Sequence, residues 1–360
     1  MHKCRGLYLH IPFCDGKCTY CDFYSRTPCA QDFDRYLVAL TAETEKWGGL
    51  CDRPFDTVYI GGGTPSLLGE RIIPLMDAVR KNFYLTDNAE ITAEMNPTSA
   101  GREFLSAAKT AGVNRLSIGV QSADDSELSV LGRRHTANDA AKTVATARDM
   151  GFDNISLDLM IGLPESSNKT LEKSLDFVCD LSPEHISAYI LKIEDGTPLS
   201  RRGGLSYPDD DMTAGQYLFM CEYLENAGYG HYEISNFARK GRESRHNLKY
   251  WQLCEYLGIG PSAHSFFDGK RFYYPRDLDG FLNAPDTVFA GMGGGEDDRI
   301  MLALRLSDGF DFKEYPDVLP FLKKLCDTGL GTLCKTRFSL TNRGMAVSNT
   351  IITEILERIA

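Results

Sequence analysis

The feature that most limits what this chain can fold into is a repeated alternation of short strand-like and longer helix-like segments over its first two-thirds. LYLHIP (7–12), TVYI (57–60), EITAEM (90–95), RLSIGV (115–120), ISLDLMI (155–161) and HISAYIL (185–191) are rich in β-branched or aromatic residues. Each ends at Gly, Pro or a polar turn, as strands do. Between them lie stretches of helical period, clearest at Phe33–Lys46, Arg71–Asn82, Arg102–Ala111, Ala137–Met150 and Leu171–Cys179. Asn138 and Thr170 lie beside the expected N-caps, and Ala111-Gly112 and Met150-Gly151 are C-terminal stops. A further helix covers about Met212–Asn226. Such units in series predict an α/β fold with a parallel sheet and right-handed crossovers. The sheet is either doubly wound or curled into a partial barrel. Polar candidates at the C-terminal ends of many strands, not at one switch point, favour a partial (β/α)6 TIM-like barrel.

After about residue 230 the pattern changes. HYEISNFARKGRESRHNLKYW (231–251) is polar, aromatic and turn-rich, and YLGIGPSAHSFF (256–267) precedes a long irregular stretch. Gly291-Met292-Gly293-Gly294-Gly295 reads as a flexible junction. Beyond it, RIMLALRL (299–306) is amphipathic, 321–328 reads as a helix, TLCKTRFSLT (332–341) as a hairpin and 344–359 as a terminal helix. The expected organisation is a barrel over 1–235, a connecting region over 236–295 and a smaller, winged-helix-like α+β domain over 296–360. A winged helix usually suggests DNA. The net charge of −11 provides no nucleic-acid footprint, so a structural or partner-docking role is expected instead.

Eleven cysteines, an odd number without framework spacing, argue against disulfides. GLYLHIPF (6–13) is too short for a signal-peptide core, and no run approaches the ~18 apolar residues of a membrane span. The expectation is a reducing, cytoplasmic location without stable membrane insertion.

Cys14, Cys18 and Cys21 follow the first strand in HIPFCDGKCTYCDFY (10–24). Three thiolates at this spacing can hold three corners of a cubane cluster, which normally takes four. An iron with an open position can bind and activate a small molecule. A structural zinc site is the alternative, with Cys29, His10 or Asp22 completing four ligands.

Gly61-Gly62-Gly63-Thr64-Pro65 follows the second strand directly. Glycines allow close backbone approach to a ligand, although a tight turn would also use them. Glu94 ends the third strand, Gln121 the fourth, Asp158 lies in the fifth, and Arg133 follows the fourth. Carboxylates suit ribose hydroxyls or an ammonium, and Arg takes a carboxylate bidentately. Together they suit a zwitterionic nucleoside.

The cysteine triplet followed by GGGTP resembles the radical S-adenosylmethionine superfamily. That resemblance implies a [4Fe–4S] cluster whose open iron chelates the amino and carboxylate groups of S-adenosylmethionine. LYLHIPFC, IGGGTP, RLSIGVQS, DLMIGLP, YEISNFAR and HNLKYW extend it, across nearly the whole chain, to oxygen-independent coproporphyrinogen oxidase and its relatives. Within that group the chain is most similar to HemW-type heme chaperones. The oxidases carry a fourth Cys two positions after the third, where this chain has Phe23, and a long N-terminal extension over the substrate. His246-Asn247-Leu248-Lys249-Tyr250-Trp251 fits the HNxxYW motif of the heme-binding branch.

Carried over position by position, the resemblance implies that Cys14, Cys18 and Cys21 ligate the cluster. It implies that Tyr8, Tyr20, Gly62, Gly63, Thr64, Glu94, Gln121, Arg133 and Asp158 contact S-adenosylmethionine. His246, Tyr250 and Trp251 would contact heme, with Cys254, His231 and His264 as further candidates for the axial ligand. On physics alone, HNLKYW reads somewhat better as a structural turn with two core aromatics, and it is the resemblance that favours heme contact. The implied function is to bind heme and transfer it to an acceptor hemoprotein, such as a membrane-bound respiratory-chain component. Oxidative decarboxylation of coproporphyrinogen III and radical heme modification are the alternatives. No heptad pattern specifies a homodimer, which stays open.

Overall fold

The structure, a computed structural model, describes residues 4–98 and 101–359. Its first half alternates strand and helix: β1 (Arg5–Ile11), α1 (Ala30–Gly48), β2 (Phe55–Gly62), α2 (Ile72–Asn82), β3 (Leu85–Met95), α3 (Arg102–Thr110) and β4 (Arg115–Gln121). A short α4 (Asp125–Val130) precedes α5 (Ala137–Asp149), β5 (Ile155–Ile161), α6 (Asn168–Asp180), β6 (His185–Ile190) and α7 (Asp210–Asn226). The strands pair in parallel and in sequence from β1 to β6. This is the α/β partial barrel that the alternation predicts. Thr136 and Ser167 cap α5 and α6, each accepting from the third helical N–H, two and three residues before the expected cap neighbours.

Alternation along each strand builds two different faces. Leu7, Leu9 and Ile11 of β1, Val58 and Ile60 of β2, Leu116 and Ile118 of β4, and Ile155 and Leu157 of β5 point outward and are fully buried in one core with the helices. The opposite residues point into the barrel. Register aligns Tyr8 with Tyr59, Tyr59 with Thr92, Glu94 with Ser117, and Asp158 with Ser187. The barrel interior is therefore lined by hydroxyls and carboxyls, and it is here that a polar ligand fits.

The sheet continues past the six expected strands. On one edge, the hairpin β7 (Gly230–Glu233) and β8 (Asn236–Ala238) pairs antiparallel with β6. Next comes α8 (Arg245–Trp251), which carries the HNLKYW residues. On the other edge, β9 (Tyr256–Ile259) adds parallel to β1, followed by β10 (His264–Phe267) and β11 (Lys270–Tyr273). After α9 (Leu278–Asn283), β12 (Val288–Met292) closes a sheet of twelve strands. The Gly-rich stretch read as a junction thus begins inside a strand: Gly291 and Met292 pair with Arg271 and Lys270.

The C-terminal unit comprises α10 (Glu296–Ala303), β13 (Phe310–Asp311), α11 (Leu319–Asp327), β14 (Gly331–Cys334), β15 (Arg337–Leu340), α12 (Asn342–Ala346) and α13 (Ser348–Ile359). Its strands form a separate antiparallel sheet, and the expected terminal helix is broken at Val347. Backbone hydrogen bonds from Ile234 to Arg305 and from Ser307 to Tyr232 tie the unit to the barrel.

Candidate functional site

The three cysteines lie in the long loop between β1 and α1, above the C-terminal ends of the strands. Two backbone hydrogen bonds extend the β1–β2 pairing into this loop: Gly63 N–H donates to the Ile11 carbonyl at 2.8 Å, and Thr64 N–H to the Phe13 carbonyl at 2.7 Å. The approach requires glycine. A Cβ on Gly63 would stand 2.5 Å from the Phe13 oxygen, and Gly62, at φ +112°, would press a Cβ against the His10 ring. The glycine run is therefore the clamp that fixes the cysteine loop on the barrel.

Cys14, Cys18 and Cys21 line one cavity of about 330 Å³. The Cys14 Sγ is 3.3 Å from the Thr64 Oγ1, which also accepts from the Asn96 amide at 3.0 Å. Arg133 reaches the Cys18 Sγ at 3.5 Å with Nη1, while its Nη2 donates to Asn96 Oδ1 at 2.9 Å and to the Gly119 carbonyl at 2.6 Å. Burial pushes the Cys21 thiol up to about 11.

None of the groups named as a fourth ligand lines this cavity, and two of them are committed elsewhere. Cys29 is exposed and begins α1, its N–H donating to Asp32 at 2.9 Å. His10 has both ring nitrogens engaged, by the Tyr8 hydroxyl and the Tyr24 carbonyl, each at 3.0 Å. Asp22 pairs with Arg276 at 3.2 Å. Among the described residues no three His, Cys, Asp or Glu converge on a point as ligands of a single metal ion would. Three thiols around one cavity that Cys29, His10 and Asp22 do not line fit a cubane with one open corner better than a closed zinc site.

The opposite wall is acidic. Glu94 accepts from the Tyr59 hydroxyl at 2.8 Å and from the Gly62 N–H at 3.1 Å. Burial raises its carboxyl to about 7, against the pull of those two donors. Asp158 accepts from the Ser117 hydroxyl at 3.0 Å, and burial raises it to about 6. Gln121 enters the cavity at φ +70°, where the β4–β5 register slips between Gly119 and Gln121.

Of the residues assigned to S-adenosylmethionine, Tyr20, Gly62, Gly63, Thr64, Glu94, Gln121, Arg133 and Asp158 all line this cavity. Tyr8 does not. It lies on the barrel's inner face in a neighbouring groove, bonded to His10 and stacked on Tyr59 at 6.2 Å. Tyr59, Asn96 and Ser117 belong to the site and were not singled out by sequence reasoning. Strand alternation was the available signal for Tyr59 and Ser117, which share the face of Glu94 and Asp158.

These features agree with comparison to known proteins. The radical SAM superfamily pattern matches residues 8–178. A heme chaperone HemW of Mycobacterium tuberculosis is 37% identical, over 98% of this chain and 94% of that protein. The chain belongs to the HemW family of radical SAM proteins. A second heme chaperone HemW, from Bacillus subtilis, is 35% identical over 96% of this chain and 98% of that protein. Among solved structures, coproporphyrinogen III oxidase (HemN) from Escherichia coli superimposes with a TM-score of 0.83 at 23% identity, over 98% of this chain and 90% of that one. That likeness shows the shared fold.

The HNLKYW residues occupy the other end of the barrel. His246 is buried, with Nδ1 2.8 Å from the Thr57 hydroxyl and Nε2 2.8 Å from the Tyr250 hydroxyl. The backbone N–H groups of Arg245 and His246 donate to the Glu90 carboxylate at 3.3 and 3.1 Å. Burial lowers the imidazole to about 3, so it is neutral and has no free nitrogen. In this structure α8 plugs the barrel floor, and His246 is its anchor. Tyr250 is half-buried, stands edge-on to Tyr256 at 4.6 Å, and lines the groove that holds Tyr8. Trp251 is half-buried at the end of α8 and does not line that groove.

Proposed function

We propose that the chain is a heme chaperone, which binds heme and passes it to an acceptor hemoprotein. The observation that carries this reading is near end-to-end similarity to relatives named heme chaperones. Cys14, Cys18 and Cys21 would hold a [4Fe–4S] cluster, and the eight cavity residues would hold S-adenosylmethionine on its open iron. Bound together there, the two cofactors supply one-electron chemistry at a sulfonium.

The chain's own residues prepare the cavity for that pair. Thr64 and Arg133 hold two of the thiols by hydrogen bonds, so the loop is preset. Arg133 brings a guanidinium beside the cluster position, suited to a carboxylate. Glu94 and Asp158 are acceptors once ionised, suited to an ammonium or to ribose hydroxyls, and Tyr59 and Ser117 orient them. Polar groups fixed before the ligand arrives cost little reorganisation on binding.

Among the described residues no helix is long and apolar enough to cross a membrane. The proposed setting is the cytoplasm, with the C-terminal unit (296–360) as the dock for a membrane-bound acceptor. Heme titration of the anaerobically reconstituted protein tests the reading. A saturable Soret band at one heme per chain, and transfer to an apo-hemoprotein, are expected. Turnover of coproporphyrinogen III to protoporphyrinogen, with reductant and S-adenosylmethionine present, would replace this reading with the oxidase.

A further inference from the structure

We propose that heme sits in the aromatic groove beside the cysteine cavity and that His264, not His246, is its axial ligand. The inference rests on the heme-chaperone reading above and gives it a site.

The groove follows from register. Gly6 pairs with Tyr256, Tyr256 with Phe266, and His264 with Tyr273, so Tyr256, His264 and Tyr273 share the barrel's inner face with Tyr8. Between β1 and β11 this face forms an open trough of about 560 Å³. Its size falls within the range of sites for small ligands and cofactors. Tyr8, Tyr250, Tyr256 and Tyr273 line it, and flat aromatic walls suit a flat aromatic cargo.

An iron porphyrin also needs a ligand nitrogen, and the histidines separate clearly. His10 and His185 have both ring nitrogens engaged, as does His246. His135 is buried and bonded to the Val120 carbonyl at 3.0 Å. His231 stacks on Phe237 at 4.3 Å, with Nδ1 on Asn342 and a buried Nε2. His264 is the exposed histidine among the described residues, held flat against the Tyr273 ring at 5.2 Å. Cys254 is buried. A half-exposed Arg276 at the rim, paired with Asp22, provides a cation for a propionate carboxylate.

The groove adjoins the cofactor site. Phe23 lines both cavities and is 68% exposed. Its ring stands where heme in the groove would come nearest the cysteine loop. In this arrangement the HNLKYW residues contribute through Tyr250, and His246 is a positioning residue that holds the Tyr250 hydroxyl.

The test titrates ferric heme into the full-length, cluster-loaded protein and compares wild type, His264→Ala and His246→Gln by Soret position, low-spin EPR signal and dissociation constant. His264→Ala is expected to weaken binding at least tenfold and to change the axial signature, with added imidazole restoring it. His246→Gln is expected to keep the wild-type axial signature. An unchanged signature in His264→Ala, or its loss in folded His246→Gln alone, overturns the assignment and leaves the chaperone reading intact. No heme binding by wild type overturns both.

Discussion

The hydroxyl of Tyr59 donates to the carboxylate of Glu94 at 2.8 Å, on the barrel's inner face, where Glu94 is half-buried and lines the cysteine cavity. The pair shows how this site is built. β2 and β3 run parallel, so each delivers every second residue to the interior, and the donor is in place before any ligand arrives.

Glu94 should trade stability for binding. Burial raises its pKa from 4.5 in the unfolded chain to about 7 in the fold. Its stabilising contribution is complete below pH 4.5 and is lost as pH rises through 7, because the native state must then hold a buried charge. Glu94→Gln removes that cost and should raise the stability of the cofactor-free protein at pH 8 by about 1–3 kcal/mol. It should also weaken S-adenosylmethionine binding at least tenfold. Thermal melts at pH 6 and 8, paired with calorimetric titration, check both; a variant no more stable at pH 8 contradicts the argument.

The cysteines divide into cavity-lining and peripheral sets. Cys18→Ser should abolish the broad visible absorption of the reconstituted cluster. Cys29→Ser should leave it unchanged, since Cys29 is exposed at the start of α1. Serine is a strongly preferred N-cap, so Cys29→Ser should also stabilise the protein by about 0.5 kcal/mol. Iron content and absorption per chain give the answer, and loss of iron in the Cys29 variant would return it to the ligand set.

Much of this was readable in the sequence, for physical reasons that differ by region. Strand and helix periods marked β1 to β6 because their outward faces are continuous apolar ridges such as Leu7, Leu9 and Ile11. The cysteine spacing and the glycines after β2 are local, and local chemistry survives without coordinates. The edge strands were not legible. β7 and β8 are short, and their pairing with β6 depends on the completed barrel. His246 illustrates the same limit. Its partners, Thr57 and Tyr250, sit 189 and 4 positions away, and nothing in HNLKYW signals the distant one.

Gly63→Ala should uncouple the loop from the barrel. The added Cβ would meet the Phe13 carbonyl oxygen at 2.5 Å, a backbone atom that no rotamer change can move. Overpacking of this kind costs about 1–3 kcal/mol. The Gly63-to-Ile11 and Thr64-to-Phe13 hydrogen bonds would lengthen, and Cys14 would move with them. Cluster occupancy after reconstitution should fall below half that of wild type in protein that remains folded by circular dichroism. Full occupancy would mean that the loop is held by other contacts.

His246→Ala should be a folding mutation. The imidazole bridges the Thr57 and Tyr250 hydroxyls at 2.8 Å each, and both sit against the barrel floor. Removing it leaves two hydroxyls without their partner and a cavity under α8, where an unsatisfied buried polar group alone costs about 1–3 kcal/mol. The total loss should reach about 2–5 kcal/mol, the range of large-to-small core substitutions. The loss should be largest above pH 7 and shrink as pH falls below 6.5, since a ring titrating at about 3 in the fold stays neutral there while the unfolded ring, near 6.5, takes up a proton. Sign follows from linkage: a histidine held neutral in the fold destabilises the native state as pH drops below the unfolded value. Chemical denaturation of wild type and variant at pH 5 and 8 measures this, and the stability gap should be smaller at pH 5 than at 8. A variant as stable as wild type would free His246 for a role in ligand binding instead.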